Sequence, residues 1–410
     1  MTACTPVTAC RSCGGAFGPT LCDLGLHPVS NAYLPPGADP AQEQRFPLRA
    51  VVCGTCRMVQ LDNVVDASAI FHADYAYFSS VSASWLEHAA RFAAEMTARL
   101  SLTPASRVIE VASNDGYLLR NFVAAGIPCL GIEPSGGVAE AARAAGVPTL
   151  TAFLTAETGR EIAADGPADL VVANNVLAHV PDVNDFTAGL AALLAPEGVL
   201  SVEAPHLLAL IDGVQFDTIY HEHYAYWSLI AVEHLFARHG LHVFDIARLP
   251  THGGSIRYLA SRTRRPASEA LVSLRAEEAA RGLEGDAIYT GFAPRVAEVL
   301  EGFRAWLAAM QAEGRTLAAY GAAAKGNTFL NAAGVAPGTL IAVADKAAAK
   351  QGQRLPGTHV PIVTPEALQA MAPDEIVILP WNIRAEIVRQ WRASGFTGGL
   401  WTAVPRMERH

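Results

Sequence analysis

From Ser106 onward short apolar runs alternate with stretches of helical character, and no other feature constrains the fold of this chain as much. Residues 107–113, 129–133 and 169–174 read as strands, a helix follows from about Tyr117, and another covers 138–145. Such alternation builds a parallel sheet joined by right-handed crossovers. The first turn is Glu110-Val111-Ala112-Ser113-Asn114-Asp115-Gly116, and Glu133 closes the second strand. An acidic side chain at that strand end is placed to bind ribose hydroxyls. Ala112 and Asn114 stand where a dinucleotide-binding turn carries glycines. A cofactor without a pyrophosphate is therefore expected.

Upstream, four of the seven cysteines form two knuckles, Cys10-x-x-Cys13 and Cys53-x-x-Cys56. Two such pairs supply the four thiolates of a closed structural zinc site, with no position left for a catalytic water. Two disulfides are the alternative, disfavoured by the odd cysteine count and the lack of a secretion signal. Cys4, Cys22 and Cys129 are given no role. The run Phe71-His72-Ala73-Asp74-Tyr75-Ala76-Tyr77-Phe78-Ser79-Ser80 follows the knuckles. It is rich in aromatics and hydroxyls, and suits either packing between domains or phenols that hydrogen-bond a substrate oxygen.

Composition narrows the partners. The chain has 410 residues, 51% hydrophobic and 17% charged, enough for several globular domains. A formal charge of -9 argues against a nucleic-acid partner, because such binding draws on clustered Lys and Arg. No apolar run approaches the roughly 18 residues that span a bilayer, so a cytoplasmic protein without membrane contact is expected. Of 30 basic residues only Lys325, Lys346 and Lys350 are lysines. That bias makes each of them worth attention, although surface chance is the simpler reading of Lys346 and Lys350.

Beyond the middle segment, 241–247 and 255–262 read as further strands, and 266–313 as connecting helices. A second strand-turn-helix then begins: strand 316–320, the turn Gly321-Ala322-Ala323-Ala324-Lys325-Gly326-Asn327, and helix 328–333. Strands over 340–344 and 375–379 and a helix over 384–393 continue it. The turn is no Walker loop, since its Gly-to-Lys spacing is too short. Its backbone N–H groups at a helix start still suit an anion. A degenerate half-Rossmann unit kept for packing is the alternative.

Tyr220-His221-Glu222-His223 places four hydrogen-bonding or ionisable groups side by side, which suits acid/base chemistry. Helical zinc signatures space their histidines four apart, so a catalytic metal is not expected here.

Taken with Asn174-Asn175-Val176-Leu177-Ala178-His179-Val180-Pro181 and His252-Gly253-Gly254-Ser255, these motifs resemble the sugar C-methyltransferases that branch nucleotide-linked deoxysugars in antibiotic pathways. The resemblance runs nearly end to end. It implies an α/β chain with a zinc-binding N-terminal domain (1–74), a class I methyltransferase Rossmann-like domain (75–265), a helical connector (266–315) and a smaller Rossmann-like C-terminal domain (316–410).

The same resemblance implies S-adenosylmethionine as donor, held by Glu110, Ala112, Asn114, Asp115, Gly116, Glu133, Asn174, Asn175 and Val176. The implied reaction is methylation of a thymidine-diphosphate-linked 4-keto-deoxysugar, at carbon 3, through an enolate. His223 is the implied base, with His179, Tyr220 and Glu222 orienting it or stabilising the enolate; the two histidines are interchangeable in these roles. Tyr75 or Tyr77 completes the pocket, and His252, Gly253, Gly254, Ser255, Lys325 and Asn327 hold the substrate. The oligomeric state is left open, a monomer being compatible with all of this. A small-molecule O- or N-methyltransferase is the rival reading, and it has less use for so many Tyr, His and Glu side chains.

Overall fold

The computed structural model describes residues 4–66, 78–81 and 83–410, so Tyr75 and Tyr77 lie outside the described residues. Its middle sheet has seven strands: Val108–Val111, Cys129–Ile132, Thr149–Leu150, Ala168–Asn174, Leu194–Pro205, His242–Leu249 and Ser255–Ser261. Across the sheet they lie in the order sixth, seventh, fifth, fourth, first, second, third. The seventh strand runs antiparallel to the fifth and sixth, and the other pairings are parallel. This is the class I methyltransferase type of α/β sheet. Strand order reverses between the first and fourth strands, which opens a crevice at their carboxyl ends. Val108, Ile109 and Val111 are buried, as expected of a strand covered on both faces.

The fifth strand is absent from the sequence reading. Pro196 and Gly198 punctuate its start like a turn. Its pairing with the fourth strand breaks between Leu194 and Val199 and is regular only from Val199 onward. Ahead of it the helix Val183–Leu193 is capped by Asp182, whose carboxylate accepts the amides of Asn184 at 3.1 Å and Asp185 at 3.0 Å.

The N-terminal sheet is antiparallel and has four strands, in the order Ala225–Tyr226, Val59–Leu61, Phe46–Cys53, Phe17–His27. Its edge strand Ala225–Tyr226 comes from the segment just after the Tyr220–His223 run, pairing Ala225 with Gln60 and Tyr226 with Val59. The Cys53–Cys56 knuckle and the Tyr220–His223 run thereby adjoin neighbouring strands of one sheet.

The C-terminal sheet has six strands, in the order Ile362–Val363, Val343–Ala344, Leu317–Tyr320, Glu375–Ile378, Gly399–Thr402, Glu408–Arg409, all parallel but the last pair. Its first helix, Ala324–Ala332, starts four residues earlier than the sequence suggested, so Lys325 and Gly326 lie in its first turn. Glycine is needed at 326 because a Cβ there would sit 2.7 Å from Leu379.

The connecting stretch forms helices Glu269–Ala280 and Phe292–Ala312. One carboxylate in it is fully buried: Glu278 accepts His206 Nε2 at 2.7 Å and the amides of Leu229 at 2.7 Å and Ile230 at 3.0 Å, so it caps the helix Leu229–Arg238. A continuous apolar core runs from Leu21 and Leu48 of the N-terminal sheet through Phe216 and Phe303 to Leu317 and Phe329. Among the described residues no helix is long and apolar enough to cross a membrane.

Candidate active site

The first turn of the middle sheet takes up left-handed backbone at Ala112 (φ 54°), Asn114 (φ 51°) and Gly116 (φ 77°). Two of these are not glycine and cost about 1–2 kcal/mol each in that region. Glu133 holds the turn: its carboxylate accepts the amide of Asn114 at 3.0 Å and that of Ser135 at 2.9 Å. The acidic strand end therefore ties the turns after the first and second strands together. Burial pushes Glu133 above the usual carboxylate range, against the pull of those amides. Burial, reinforced by the charge of Glu133, holds Glu110 well above that range too. From the junction, the amides of Ser79 and Ser80 donate to Asn114 Oδ1 at 2.8 Å and Asp115 Oδ2 at 3.1 Å.

At the carboxyl ends of the first and fourth strands, buried polar atoms lack partners among the described residues. They include both amide atoms of Asn174 and of Asn175, and Oδ1 of Asp115. Asn175 is itself left-handed (φ 55°), and its N–H donates to the Glu203 carbonyl at 2.7 Å. Orphaned groups at a strand terminus are what a polar ligand satisfies. Amide donors and acceptors beside acidic groups fit S-adenosylmethionine, which carries a carboxylate, an ammonium, a sulfonium and ribose hydroxyls.

His179 ends the short helical turn Leu177–His179 that leaves the fourth strand. Its ring meets that of His223 edge to face, centroids 4.7 Å apart. His223 donates from Nδ1 to the Thr218 carbonyl at 2.9 Å, which leaves Nε2 as the acceptor of the Tyr220 hydroxyl at 2.8 Å. Burial first, and the neighbouring His179 second, hold His223 well below the usual imidazole range. Burial brings His179 down to about 4.

His221 points the other way, fully buried against Phe46, with Nε2 3.3 Å from the Pro47 carbonyl. His221 and His223 thus share no site. Among the described residues the four cysteines form the one His/Cys/Asp/Glu group arranged for a metal ion.

Glu222 is buried and accepts Asn31 Nδ2 at 2.7 Å. Burial pushes it up to about 7, opposed by the Asn31 bond and by the charge of Lys350. Lys350 donates to the Ala322 carbonyl at 2.8 Å, lies 5.4 Å from the Tyr33 ring centroid and 3.9 Å from Asp345. Tyr33 donates to the same carbonyl at 2.6 Å. The sequence reading passed over Asn31 and Tyr33, and it noted Lys350 for the scarcity of lysine but took surface chance as its simpler explanation.

Lys325 donates to Asn382 Oδ1 at 2.8 Å and lies 4.6 Å from the Trp381 ring centroid. Trp381 Nε1 in turn donates to buried Asp217 at 2.7 Å. Burial raises Asp217 to about 6, with Lys325 pulling it down. Asn327 is buried, and its amide donates to the Ser30 carbonyl at 2.5 Å. His252 is left-handed (φ 56°) and meets Trp85 edge to face at 5.5 Å. Gly253 leaves no room for a Cβ beside Trp381 and Gln215, and the Gly254 carbonyl accepts the His206 amide at 3.0 Å. Ser255 is buried on the Thr251 carbonyl.

The four knuckle thiols lie within 4.8 Å of one another, with Cys10 to Cys56 at 3.6 Å and Cys13 to Cys53 at 3.4 Å. Zn–S bonds of about 2.3 Å in a tetrahedron place sulfurs about 3.8 Å apart, so the cluster suits zinc with little adjustment.

Three family models match along the chain. They are described as "Putative zinc binding domain" over residues 10–71, "Methyltransferase domain" over 85–246 and "C-methyltransferase C-terminal domain" over 250–405. The chain is 36% identical over 390 residues to C-methyltransferase NovU of Streptomyces niveus, covering 93% of this chain and 92% of that one. Solved structures align less fully. Magnesium protoporphyrin IX methyltransferase (ChlM) from Synechocystis PCC 6803 covers 43% of this chain and 83% of its own at 19% identity, TM-score 0.36. Glycopeptide N-methyltransferase MtfA covers 43% and 90% at 14% identity, TM-score 0.34. The methyl donor is S-adenosylmethionine, and the thiolate cluster lies within the zinc-binding match. With identity to a C-methyltransferase along almost its whole length, this chain belongs to the S-adenosylmethionine-dependent C-methyltransferase family that its motifs resemble.

Proposed function

We propose that the chain methylates carbon 3 of a thymidine-diphosphate-linked 4-keto-deoxysugar through an enolate, as a cytoplasmic enzyme of antibiotic deoxysugar assembly. One observation carries this reading: the hydrogen-bonded Tyr220–His223 pair lies against His179, which stands on the turn that leaves the fourth strand of the donor sheet. Transfer to oxygen or nitrogen needs little more than proximity. Transfer to carbon needs a base and an oxyanion stabiliser besides.

In this mechanism burial keeps the His223 imidazole neutral and so able to accept a proton. Seating of the sugar turns the Tyr220 hydroxyl from Nε2 toward the ketone oxygen. Nε2 then takes the proton from carbon 3, while Tyr220 and His179 stabilise the enolate. Glu222 supports the base or the enolate from its place beside Asn31, and Tyr75 or Tyr77 closes the pocket. The donor supplies an electrophilic methyl group, held by Glu110, Ala112, Asn114, Asp115, Gly116, Asn174, Asn175 and Val176, with Glu133 toward the ribose.

The nucleotide end lies toward Lys325, with His252 to Ser255 beside it. Asn327 contributes by fixing Ser30 and so the approach of Asn31 and Tyr33. We divide the chain for this purpose at 1–74, 75–265, 266–315 and 316–410.

Incubation with S-adenosylmethionine and a panel of thymidine-diphosphate ketosugars, read by mass spectrometry and carbon NMR, tests the proposal. A new methyl on carbon 3 is expected. A methyl on oxygen or nitrogen, or no reaction with any ketosugar, would overturn it.

A further inference from the structure

The cysteine knuckles look remote from the chemistry, yet the residue between the first two thiols reaches both catalytic loops. Arg11 Nη1 donates to the Pro181 carbonyl at 2.9 Å and the Val180 carbonyl at 3.4 Å, just after His179. Its Nη2 donates to the Tyr224 carbonyl, just after His223. Nε and the backbone N–H both donate to Gln60 Oε1, at 3.2 and 3.1 Å. The knuckle itself is pinned to the same side: Asn184 Nδ2 donates to the Arg11 carbonyl at 2.7 Å and the Ser12 carbonyl at 2.9 Å.

We propose that Arg11 is a positioning residue for the reaction, its guanidinium holding the loops that carry His179 and His223 at one spacing. The proposal rests on the reading of those two histidines given above. The loops also meet through the Tyr224 amide on the Ala178 carbonyl at 2.7 Å, a bond of His179 with the Glu222 backbone and the ring contact of His179 with His223, while the Tyr224 carbonyl also accepts the Leu61 amide at 3.0 Å. These contacts lie on the histidine side of the junction. A planar fork on carbonyls of both loops ties them on the opposite, zinc-binding side and so restricts how one loop turns against the other. Lysine, a compact point charge, has no such fork. Displacements of about 1 Å at a reacting pair can cost about 10²-fold in rate. Cysteine thiolates on each side of Arg11, gathered with Cys53 and Cys56, fix the direction from which the guanidinium reaches. The zinc-binding segment thereby has a part in catalysis without touching substrate.

The test uses the full-length, zinc-loaded protein with Arg11→Lys and Arg11→Gly. Zinc content is read by elemental analysis, donor affinity by calorimetry, kcat and KM for both substrates by rate, and deuterium exchange at the sugar carbon by mass spectrometry. Expected is a kcat lower by about 10- to 100-fold, exchange lower in parallel, and zinc content, donor affinity and both KM values within about twofold. Added guanidinium should restore part of the kcat of Arg11→Gly. A kcat and exchange rate within twofold of wild type in a zinc-loaded variant would overturn the proposal.

Should both variants lose zinc or fail to fold, Arg11→Gln is read instead. It keeps a polar side chain beside Gln60 and has no fork to bridge the two loops. A several-fold fall in kcat at constant KM supports the proposal, and an unchanged kcat overturns it. His223→Ala, run in parallel, separates the two readings. If it keeps full turnover, the assignment of the histidines has failed; if it is inactive while Arg11 variants are not, only the positioning role has.

Discussion

The Tyr220 hydroxyl lies 2.8 Å from His223 Nε2, on the ring nitrogen that the Thr218 carbonyl leaves open. A base with its lone pair already engaged is held neutral and aimed, and is released only when the phenol finds another acceptor. His223→Ala is expected to lose about 10²–10⁴-fold in turnover, the usual worth of a general base. Wash-in of deuterium at the sugar carbon should vanish with it, while donor binding persists. Tyr220→Phe should retain exchange and lose turnover less steeply. A His223 variant keeping more than about a tenth of wild-type rate would refute the assignment and move the base to His179.

Glu222 is raised to about 7 by burial, against the Asn31 bond and the Lys350 charge. The pH–rate profile should therefore carry an ionisation near 7 that Glu222→Gln removes. Lys350→Met removes the opposing charge and should move that ionisation upward. The sign for stability is also set. A carboxyl raised on folding contributes stability that is complete below its unfolded range and lost as pH rises through its folded value. Urea titrations between about pH 5 and 8 should show stability falling more in wild type than in Glu222→Gln. Parallel curves for the two proteins would exclude the assignment.

Glu133 bonds the amides of Asn114 and Ser135. Its removal loosens the turn and, on the proposed placement of the ribose, also takes away an acceptor for the donor. Glu133→Ala is expected to weaken S-adenosylmethionine binding by about 1.5–3 kcal/mol in titration calorimetry. Glu133→Gln, which keeps an oxygen for one of the two amides, should lose less. Equal affinity in all three proteins would place the ribose elsewhere.

One zinc ion is expected on the thiolates of Cys10, Cys13, Cys53 and Cys56. Chelation should lower the melting temperature and, because Ala225–Tyr226 pairs with Val59–Leu61, also disturb the loop that carries His223. Elemental analysis before and after chelation, with melting and rate measured on the same samples, checks this. Full activity and unchanged melting in metal-free protein would count against it.

Strand-helix alternation, the paired knuckles and the Tyr220–His223 run were all legible because each is a local pattern. Apolar periodicity, a two-residue thiol spacing and adjacent polar side chains need no partner from elsewhere in the chain to be seen. The turn at Ala112 and Asn114 was legible in position only. Its left-handed backbone, held by Glu133 through the amides of Asn114 and Ser135, could not be read from residues that are not glycine. The fifth strand was hidden by the bulge between Leu194 and Val199, where Pro196 and Gly198 interrupt the apolar run.

Only tertiary structure could bring Lys350 and Asn31 to Glu222, bury Asn327 on Ser30, turn His221 away from His223, or set Arg11 between the two histidine loops. The sequence by itself determined the strand-helix alternation of the donor domain, the paired cysteine knuckles and the chemical types in the Tyr220–His223 run. Which side chains meet there was decided by long-range packing, because contacts between segments hundreds of residues apart leave no periodic trace in the chain.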